Sequence, residues 1–271
     1  MFTKDFKVYK SLCDNGSLTL YNLLKLLLKT SNEEYEREGK SYFDFIKDYN
    51  CIWIIYRWRL EQIRPIERDE FIKIKTWTSK FRKIYCYREY RVFDSSGNLL
   101  VKATALFLLL DLKNKKPVII GKDMINKYKV FPKKNFDNFL YLESDNDIKV
   151  VKEFTVKNSD IDYNGHVNNT IYVYWIYKSI DENFLEGKYI NYFDIVYKRE
   201  IKNDKKIYIL SNDNFSYLEV CTNETNAKIN IKYKKSWKKY FLMLSLLMIK
   251  LYEFENDSLT SCFGCSTLTK D

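Results

Sequence analysis

The sequence is poor in the residues that usually interrupt folded structure, and it contains a single histidine. Its 271 residues include 7 Gly and 3 Pro, which leaves little room for a low-complexity linker. Hydrophobic residues make up 46% and aromatic residues 17%, which excludes the disordered class and provides for a sizeable core. The frequent Tyr, Phe and Ile residues favour strands. We expect one large domain, or two of ordinary size, rich in sheet.

Long apolar runs are also lacking. The leucine-rich run 240–252 is shorter than the about 20 residues that a membrane-spanning helix needs. It predicts a packed helix, an interfacial anchor or a replacement for a final strand. The chain opens on the charged stretch 1–5, unlike a secretory signal. We therefore expect a cytoplasmic protein without a membrane partner.

Cysteine usage fits the same compartment. The six cysteines mostly lie in or beside apolar runs and are expected to be free thiols packed in the core. Cys262 and Cys265 form a lone C-x-x-C pair, and a zinc site normally needs a second pair. The sequence predicts no metal and no cofactor.

The charge balance is basic, with 46 Lys and Arg against 36 Asp and Glu, a net charge of +10. Such a surface attracts acidic partners: nucleic acid, an anionic membrane or an acidic carrier protein. The basic residues are scattered, which is also typical of an ordinary solvated surface. Because no helix-turn-helix, zinc-finger or RNA-binding motif is present, we expect no nucleic-acid partner.

One plan of elements occurs twice along the chain. In the first half we predict a strand over 2–12, a buried leucine helix over 18–28, a charged surface segment over 31–40, and strands over 51–62, 70–79, 84–94 and 99–112. In the second half we predict a strand over 150–156 and strands over 189–199, 206–211, 216–222 and 227–234. The expected units are 1–112, a connector 113–149, a second unit 150–236 and an atypical tail 237–271.

The second unit contains a conflict between local propensity and plan. The stretch Ile171–Tyr177 consists only of β-branched and aromatic residues, which favours a strand. The leucine helix at the same position of the first unit favours a helix instead. We predict a helix, because a helix surrounded by sheet can be apolar on every side and tertiary context often overrides propensity.

The stretch just before this predicted helix carries residues of catalytic type. Asp162, Asn164 and His166 are spaced two apart, which in extended backbone turns their side chains to one side. Gly165 allows a sharp bend beside the histidine. An acid or base, an amide donor and an imidazole are the groups that assist attack on a carbonyl. The alternatives are an Asn-rich turn with a structural histidine, and a turn carboxylate at Asp162.

Asn168 and Asn169 follow at the predicted start of the helix. Asn is a favoured N-cap residue. The free N–H groups of a helix N-terminus can stabilise a developing oxyanion, so this position suits a carbonyl substrate.

The pattern D-x-N-x-H-V-N-N-x-x-Y-x-x-W resembles the signature of the acyl-acyl carrier protein (ACP) thioesterase family. The residues that carry it are Asp162, Asn164, His166, Val167, Asn168, Asn169, Tyr172 and Trp175. The stretch 58–77 also resembles the first half of that family. The resemblance implies an α+β tandem (double) hotdog, two antiparallel sheets each wrapped around a central helix. It further implies hydrolysis of fatty acyl-ACP to free fatty acid, with acyl carrier protein as partner and a homodimer left open.

The resemblance also implies the site. The catalytic candidates are Asp162, Asn164, His166 and Glu200, and the substrate-binding candidates are Asn168, Asn169 and Trp175. Glu200 matches a family Tyr-x-Arg-Glu segment that supplies a catalytic carboxylate. Many plant relatives have cysteine directly after that glutamate, whereas this chain has Ile201, which excludes a thiol mechanism at this position. The role of Asp162 and Glu200 as base or nucleophile stays open.

Two other functions remain as alternatives: a hotdog hydrolase of coenzyme A thioesters, and a non-catalytic basic binding module. The first unit is expected to bind the acyl chain. Its leucine helix, Trp53, Trp58 and Phe107 are the candidate lining, although ordinary core packing is the other interpretation of the same residues.

Overall fold

The structure is a computed structural model that describes residues 1–37, 42–137, 139, 141–142, 144–162, 164–203 and 205–236, without the side chains of 42–45. The expectations for the leucine-rich run 240–252 and for the Cys262–Cys265 pair lie outside the described residues. Within those residues, no helix is both long and apolar enough to cross a membrane.

The elements of the first half follow the predicted order. The strands are β1 (Phe2–Lys7), β2 (Cys13–Asp14), β3 (Ser17–Leu18), β4 (Cys51–Gln62), β5 (Phe71–Arg82), β6 (Tyr85–Phe93) and β7 (Leu99–Asp111). The helices are α1 (Leu20–Arg37), α2 (Tyr42–Tyr49) and α3 (Lys122–Asn126).

The second half repeats the plan with shorter elements. Its strands are β8 (Lys149–Thr155), β9 (Lys188–Tyr197), β10 (Lys206–Ser211), β11 (Tyr217–Cys221) and β12 (Thr225–Lys235). Its helices are α4 (Asn169–Tyr177) and α5 (Glu182–Leu185).

Helix α1 extends beyond its predicted end. The segment 31–40 was expected to be a charged surface segment, but α1 continues to Arg37 and buries Thr30 and Ser31. The two hydroxyls are satisfied within the helix, since Thr30 donates to the Leu26 carbonyl and Ser31 to the Leu28 carbonyl. This local satisfaction lets polar residues enter the core without loss of a hydrogen bond.

Helix α4 is a helix despite its strand-forming composition. Tyr172, Val173, Trp175 and Ile176 are all at least 97% buried, so packing in the core outweighs local propensity. The helix lies beside α1, where the rings of Tyr21 and Tyr174 meet edge to face with centroids 5.3 Å apart.

All main strands belong to one antiparallel sheet. The order is β1-β5-β6-β7-β4-β9-β12-β11-β10-β8, so each half contributes five adjacent strands. The sequence predicted two sheets, one for each unit; the structure instead joins them edge to edge. The joint is the pairing of β4 with β9, in register from Arg57↔Val196 to Glu61↔Tyr192. Pairing these two edges removes the free edge that each unit would otherwise present.

The core lies on the inner face of this sheet, under both helices. Leu23, Leu24 and Leu27 of α1 and Val173 and Ile176 of α4 belong to the same hydrophobic cluster. The cluster runs without a break from one half to the other. Burial of this continuous apolar surface, which includes both sides of the joint, is what holds the halves together.

A buried ion cluster lies on the opposite face of the joint. The Asp194 carboxylate of β9 is 1% exposed and accepts hydrogen bonds from Nε of Arg57 at 2.7 Å and Nε of Arg59 at 2.8 Å, both from β4. Nη2 of Arg57 donates to the same carboxylate at 2.8 Å, and the Tyr192 hydroxyl donates at 3.0 Å. One carboxylate therefore connects two arginines across the strands that join the halves.

The connector covers this cluster. The ring of Phe139 lies 5.0 Å from the Arg57 guanidinium and 4.8 Å from that of Arg59, and the ring of Phe136 lies 5.6 Å from Arg59. The Asn135 amide donates to the Tyr90 carbonyl of β6. The segment expected to link the units thus runs over the outer face of the sheet, where its aromatic rings exclude water from the arginines.

Replacing Asp194 with alanine should destabilise the fold by about 3–5 kcal/mol, because two buried arginines lose their shared carboxylate. Urea unfolding followed by circular dichroism measures this change. The matched control is Asp213→Ala, whose carboxylate pairs with Lys149 in solvent at 2.6 Å. An unchanged midpoint is expected for the control, and an equally stable Asp194→Ala protein would contradict the role of the cluster.

Candidate active site

A cleft of about 760 Å³ opens between the two halves on the inner side of the sheet. Its walls come from the second half of α1, from strands β4, β6 and β7, and from the loop before α4 together with the end of β9. The predicted catalytic residues all line it: Asp162, Asn164, His166 and Glu200. The structure therefore brings the sequence candidates of the second half to one cavity, whose inner part belongs to the first half.

The loop that carries the histidine is a tight, internally bonded turn. The Asp162 N–H donates to the His166 carbonyl at 2.8 Å, and the Gly165 N–H donates to the Asp162 carbonyl at 3.0 Å. Gly165 has φ +78°, a left-handed conformation that glycine adopts without strain. This turn fixes the backbone on both sides of His166.

The Asp162 carboxylate takes part in the same turn. Its Oδ1 accepts the backbone N–H of Asn164 at 2.8 Å and that of His166 at 3.4 Å. The capping role that the sequence left as an alternative is thus present, while the residue also borders the cleft. The hydrogen bonds of the Asp162 carboxylate therefore stabilise the loop.

His166 and Glu200 are in direct contact. Nε2 of His166 lies 3.0 Å from Oε2 of Glu200, with the imidazole 20% and the carboxylate 52% exposed. A backbone hydrogen bond of 2.8 Å from Val167 to Ile201 holds the two loops side by side. The pair brings an imidazole and a solvent-accessible carboxylate to hydrogen-bond distance, an arrangement that can serve general acid–base chemistry.

The two asparagines at the start of α4 have different environments. Asn168 is the N-cap, and its Oδ1 accepts from the N–H of Thr170 at 3.0 Å and from the Thr170 hydroxyl at 2.8 Å. Asn169 lines the cleft with a buried Oδ1 that has no hydrogen-bond partner in the described part of the chain. Asn168 thus positions the helix, whereas Asn169 has an acceptor left for a ligand.

Two tyrosines brace this corner of the cleft. The Tyr197 hydroxyl donates to the Asn169 carbonyl at 2.9 Å, and the Tyr172 hydroxyl lies 3.4 Å from the Arg199 carbonyl. Their rings meet edge to face with centroids 5.3 Å apart. Burial raises the pKa of both phenols well above their ordinary value, so at neutral pH they are neutral donors.

Trp175 lies away from the cleft. It is 2% exposed and stacks on Phe154 in the core, with ring centroids 6.0 Å apart. It lies one turn after Tyr172 on the same helix face, but packing against Phe154 keeps its indole in the core and away from the cleft. The substrate-binding role expected for Trp175 stays a prediction that its position in the core does not support.

The inner end of the cleft includes part of the candidate acyl lining. Leu28, Trp53 and Phe107 border the cavity, whereas Trp58 is fully buried in the core. Trp53 donates its indole N–H to the Tyr128 hydroxyl at 3.0 Å. Sequence reasoning missed Tyr128 because it lies in the connector, where the pattern showed no element and no motif.

Sequence reasoning also missed Arg88 and Cys86, which line the cleft from β6. The sequence indicates ordinary strand residues at both positions, and only the pairing of β6 with β7 places Cys86 opposite Phe107 and Arg88 opposite Ala105. Burial raises the pKa of the Cys86 thiol to about 12. It stays protonated at neutral pH and is not an activated nucleophile.

Asn168→Ala should lower the free energy of unfolding by about 1 kcal/mol, because the first turn of α4 loses its cap. Asn168→Asp, which retains the acceptor, is the control and should unfold like the parent protein. Thermal unfolding of the two variants makes the comparison. Equal losses in both would show that the cap hydrogen bonds do not stabilise the helix.

Comparison with solved structures shows the fold. An acyl-ACP thioesterase from Bacteroides thetaiotaomicron superposes with a TM-score of 0.77 at 22% identity, covering 86% of this chain and 97% of that one. A 12:0-ACP thioesterase from Umbellularia californica superposes with a TM-score of 0.73 at 16% identity, covering 87% and 97%. The double hotdog expected from the sequence is confirmed.

Sequence comparison agrees. A palmitoyl-acyl carrier protein thioesterase of Gossypium hirsutum is 27% identical over 183 residues, 64% of this chain and 44% of its own length. An oleoyl-acyl carrier protein thioesterase of Coriandrum sativum is 21% identical over 207 residues, 70% and 56% respectively. The chain thus spans about half the length of these curated relatives.

Family models cover both halves. Residues 1–128 match the acyl-ACP thioesterase N-terminal domain, and residues 143–239 match the acyl-ACP thioesterase C-terminal domain. The chain belongs to the acyl-ACP thioesterase family.

Proposed function

We propose that this protein hydrolyses the thioester of a fatty acyl group carried by acyl carrier protein and releases the free fatty acid. The observation that carries the proposal is the 3.0 Å contact between His166 and Glu200 at the mouth of a cleft whose interior is largely apolar. Hydrolysis of a fatty thioester needs a base that activates a water molecule beside the carbonyl carbon. It also needs an apolar slot for the acyl chain. This cavity supplies both within one enclosure.

Glu200 acts as the general base in this proposal. Oε2 is held by His166, and the half-exposed carboxylate takes a proton from water as the water oxygen attacks the thioester carbon. The carbon–sulfur bond then breaks, and the proton passes to the leaving thiolate. Fatty acid and carrier thiol are the products, so the reaction consumes one water and returns the base.

Stabilisation of the oxyanion falls to the loop and the helix beside it. Asn164 lines the cleft at its exposed edge. Helix α4 begins shortly after it in the chain, at Asn169, with its N-terminus toward the same cavity. An amide N–H and a helix N-terminus both favour negative charge. The buried Oδ1 of Asn169 is an acceptor for an amide N–H of the carrier's phosphopantetheine arm.

Exposed basic residues beside Glu200 provide a docking surface for the carrier protein. Lys198 and Arg199 precede it, and Lys202 and Lys205 follow. The carrier proteins of fatty acid synthesis are acidic, and opposite charge speeds encounter with the correct orientation. The net charge of +10 adds to this attraction.

We further propose the cytoplasm as the compartment. Cys13, Cys51, Cys86 and Cys221 are free thiols, which suits a reducing environment. Alkylation of thiols in intact cells tests this directly. Complete alkylation of these thiols, measured after the protein is denatured, supports the cytoplasm as the compartment. Recovery of disulfide-bonded protein would refute it.

Glu200→Gln and His166→Ala should each lower kcat for acyl-ACP hydrolysis by about two orders of magnitude or more, because the base or its partner is removed. Glu224→Gln is the matched control, since this exposed carboxylate pairs with Arg199 at 2.7 Å close to the site but does not border the cleft. Fatty acid release by folded variants is the measurement. Near-normal turnover in Glu200→Gln would remove it from the mechanism.

Charge reversal at Lys202 and Lys205 should raise KM for acyl-ACP while kcat stays close to the parent value. The same reaction should slow as ionic strength rises from about 0.01 M to about 0.15 M, since the Debye length then falls from about 30 Å to about 8 Å. Lys73→Glu combined with Lys75→Glu, two exposed lysines on β5 on the far side of the sheet, is the control that makes the same change in net charge. Preference for the matching acyl-coenzyme A, unaffected by these reversals, would favour the coenzyme A hydrolase instead.

A further inference from the structure

The inner end of the cleft holds a buried charged group that a plain hydrocarbon chain does not require. Arg88 of β6 lines the cavity, and the residue is 7% exposed. Strand β6 alternates between faces, and Arg88 shares the inner face with Cys86 and Tyr90. The guanidinium therefore lies in the same space as the substrate, opposite the second half of α1.

The Arg88 guanidinium has hydrogen-bond acceptors for some of its N–H groups but not for all of them. Nε donates to the Thr76 hydroxyl at 2.9 Å, Nη1 reaches the Thr78 hydroxyl at 3.5 Å, and Nη2 pairs with the Glu34 carboxylate. An arginine has five N–H groups, so three have acceptors and two have none among the described residues. Burying an N–H donor without an acceptor is unfavourable. An apolar chain end packed against these two N–H groups would leave both without an acceptor.

Glu34 determines which acceptor fits. It already balances the arginine's charge, so a carboxylate on the substrate would meet repulsion from it. A neutral oxygen accepts the two remaining N–H groups without that repulsion. A hydroxyl on the acyl chain meets this requirement.

The sheet sets the distance of that hydroxyl from the thioester. Tyr197, the last residue of β9, borders the cleft beside Asn169. The strand registers align Arg88 with Ile195 across β7 and β4, so Arg88 lies three strand spacings and two residues from Tyr197, about 16 Å in all. An extended chain advances about 3.5 Å for every three bonds, so about a dozen bonds cover this distance. The walls along this path are apolar, with Ile55, Phe107 and Leu28 among them.

We propose that the cleft selects acyl chains bearing a hydroxyl about a dozen bonds from the thioester, with Arg88 as the residue that recognises it. This inference rests on the proposed thioesterase function and names its substrate class. In ordinary fatty acyl groups of this length a methyl would occupy the same position. Arg88 is a specificity-determining residue here and takes no part in the bond cleavage.

The test compares matched substrates on the full chain. Dodecanoyl-ACP and ω-hydroxydodecanoyl-ACP differ by one oxygen, and decanoyl and tetradecanoyl pairs bracket the length. Wild type should show a kcat/KM about tenfold or more higher for the hydroxylated member of the dodecanoyl pair, with smaller ratios on either side. A ratio at or below one for all three pairs would overturn the proposal, whatever the variants do.

Two variants locate the effect. Arg88→Met should abolish the preference by raising turnover of the plain chain relative to the hydroxylated one. Arg91→Met is the matched control, because Arg91 lies on the same strand but on the outer face, bonded to Asn135 at 2.8 Å. A preference that persists in Arg88→Met would overturn the assignment. Should that variant fail to fold, the wild-type ratio still decides.

Binding separates this inference from the proposed function. Calorimetry of wild type with free ω-hydroxydodecanoate and dodecanoate reports the cleft without any catalysis. Tighter binding of the hydroxylated acid, together with no hydrolysis of any acyl-ACP, would support the subsite and refute the thioesterase. Hydrolysis of all substrates, together with equal binding of both acids, would support the thioesterase and refute the hydroxyl subsite.

Discussion

The pairing of β4 with β9 is the constraint on which the rest of the molecule depends. It merges two five-stranded units into one sheet and so places α1 and α4 side by side on the same face. The cleft is a consequence, since its inner walls come from β4, β6 and β7 and its mouth from the loop before α4. Neither half alone encloses a site. Asp194 and its two arginines reinforce the joint at the strands where the halves meet.

The polarity of the cleft changes along its length, and the strands determine the order. The His166–Glu200 pair stands at the solvent end, where the Glu200 carboxylate is half exposed. Across β4 and β7 the inner face is apolar, with Ile55 and Phe107 in register. On β6 the face becomes polar again at Arg88. Because each strand adds about 4.8 Å, the polar group on β6 lies three strand spacings from β9.

Local sequence predicted the parts of this molecule that depend on nearby residues. The loop around His166 was predicted from the spacing of its polar residues. Helix α4 is different: its local propensity favours a strand, and it was predicted as a helix only from the repeat of the first half's plan. The polar end of the cleft was not predictable, because Arg88 meets Glu34 over 54 residues of chain and gives no local signal. Likewise, Trp175 fits the motif, but only the packing of α4 shows that it points into the core. Strand register and helix packing carry this missing information.

The two halves contribute different parts of the cleft because their helices differ in length. Helix α1 has 18 residues and α4 has nine, a difference of about 13.5 Å at about 1.5 Å per residue. The residues of α1 that border the cleft run from Leu28, the ninth residue of the helix, to Glu36, and all of them after Leu28 lie within the additional length. A first helix as short as α4 would end where the roof of the cleft begins. In the second half the short helix instead brings its N-terminus and the histidine loop to the mouth of the cleft. The longer helix encloses the inner part of the cleft, the shorter one places its N-terminus at the mouth, and the shared sheet keeps them in register.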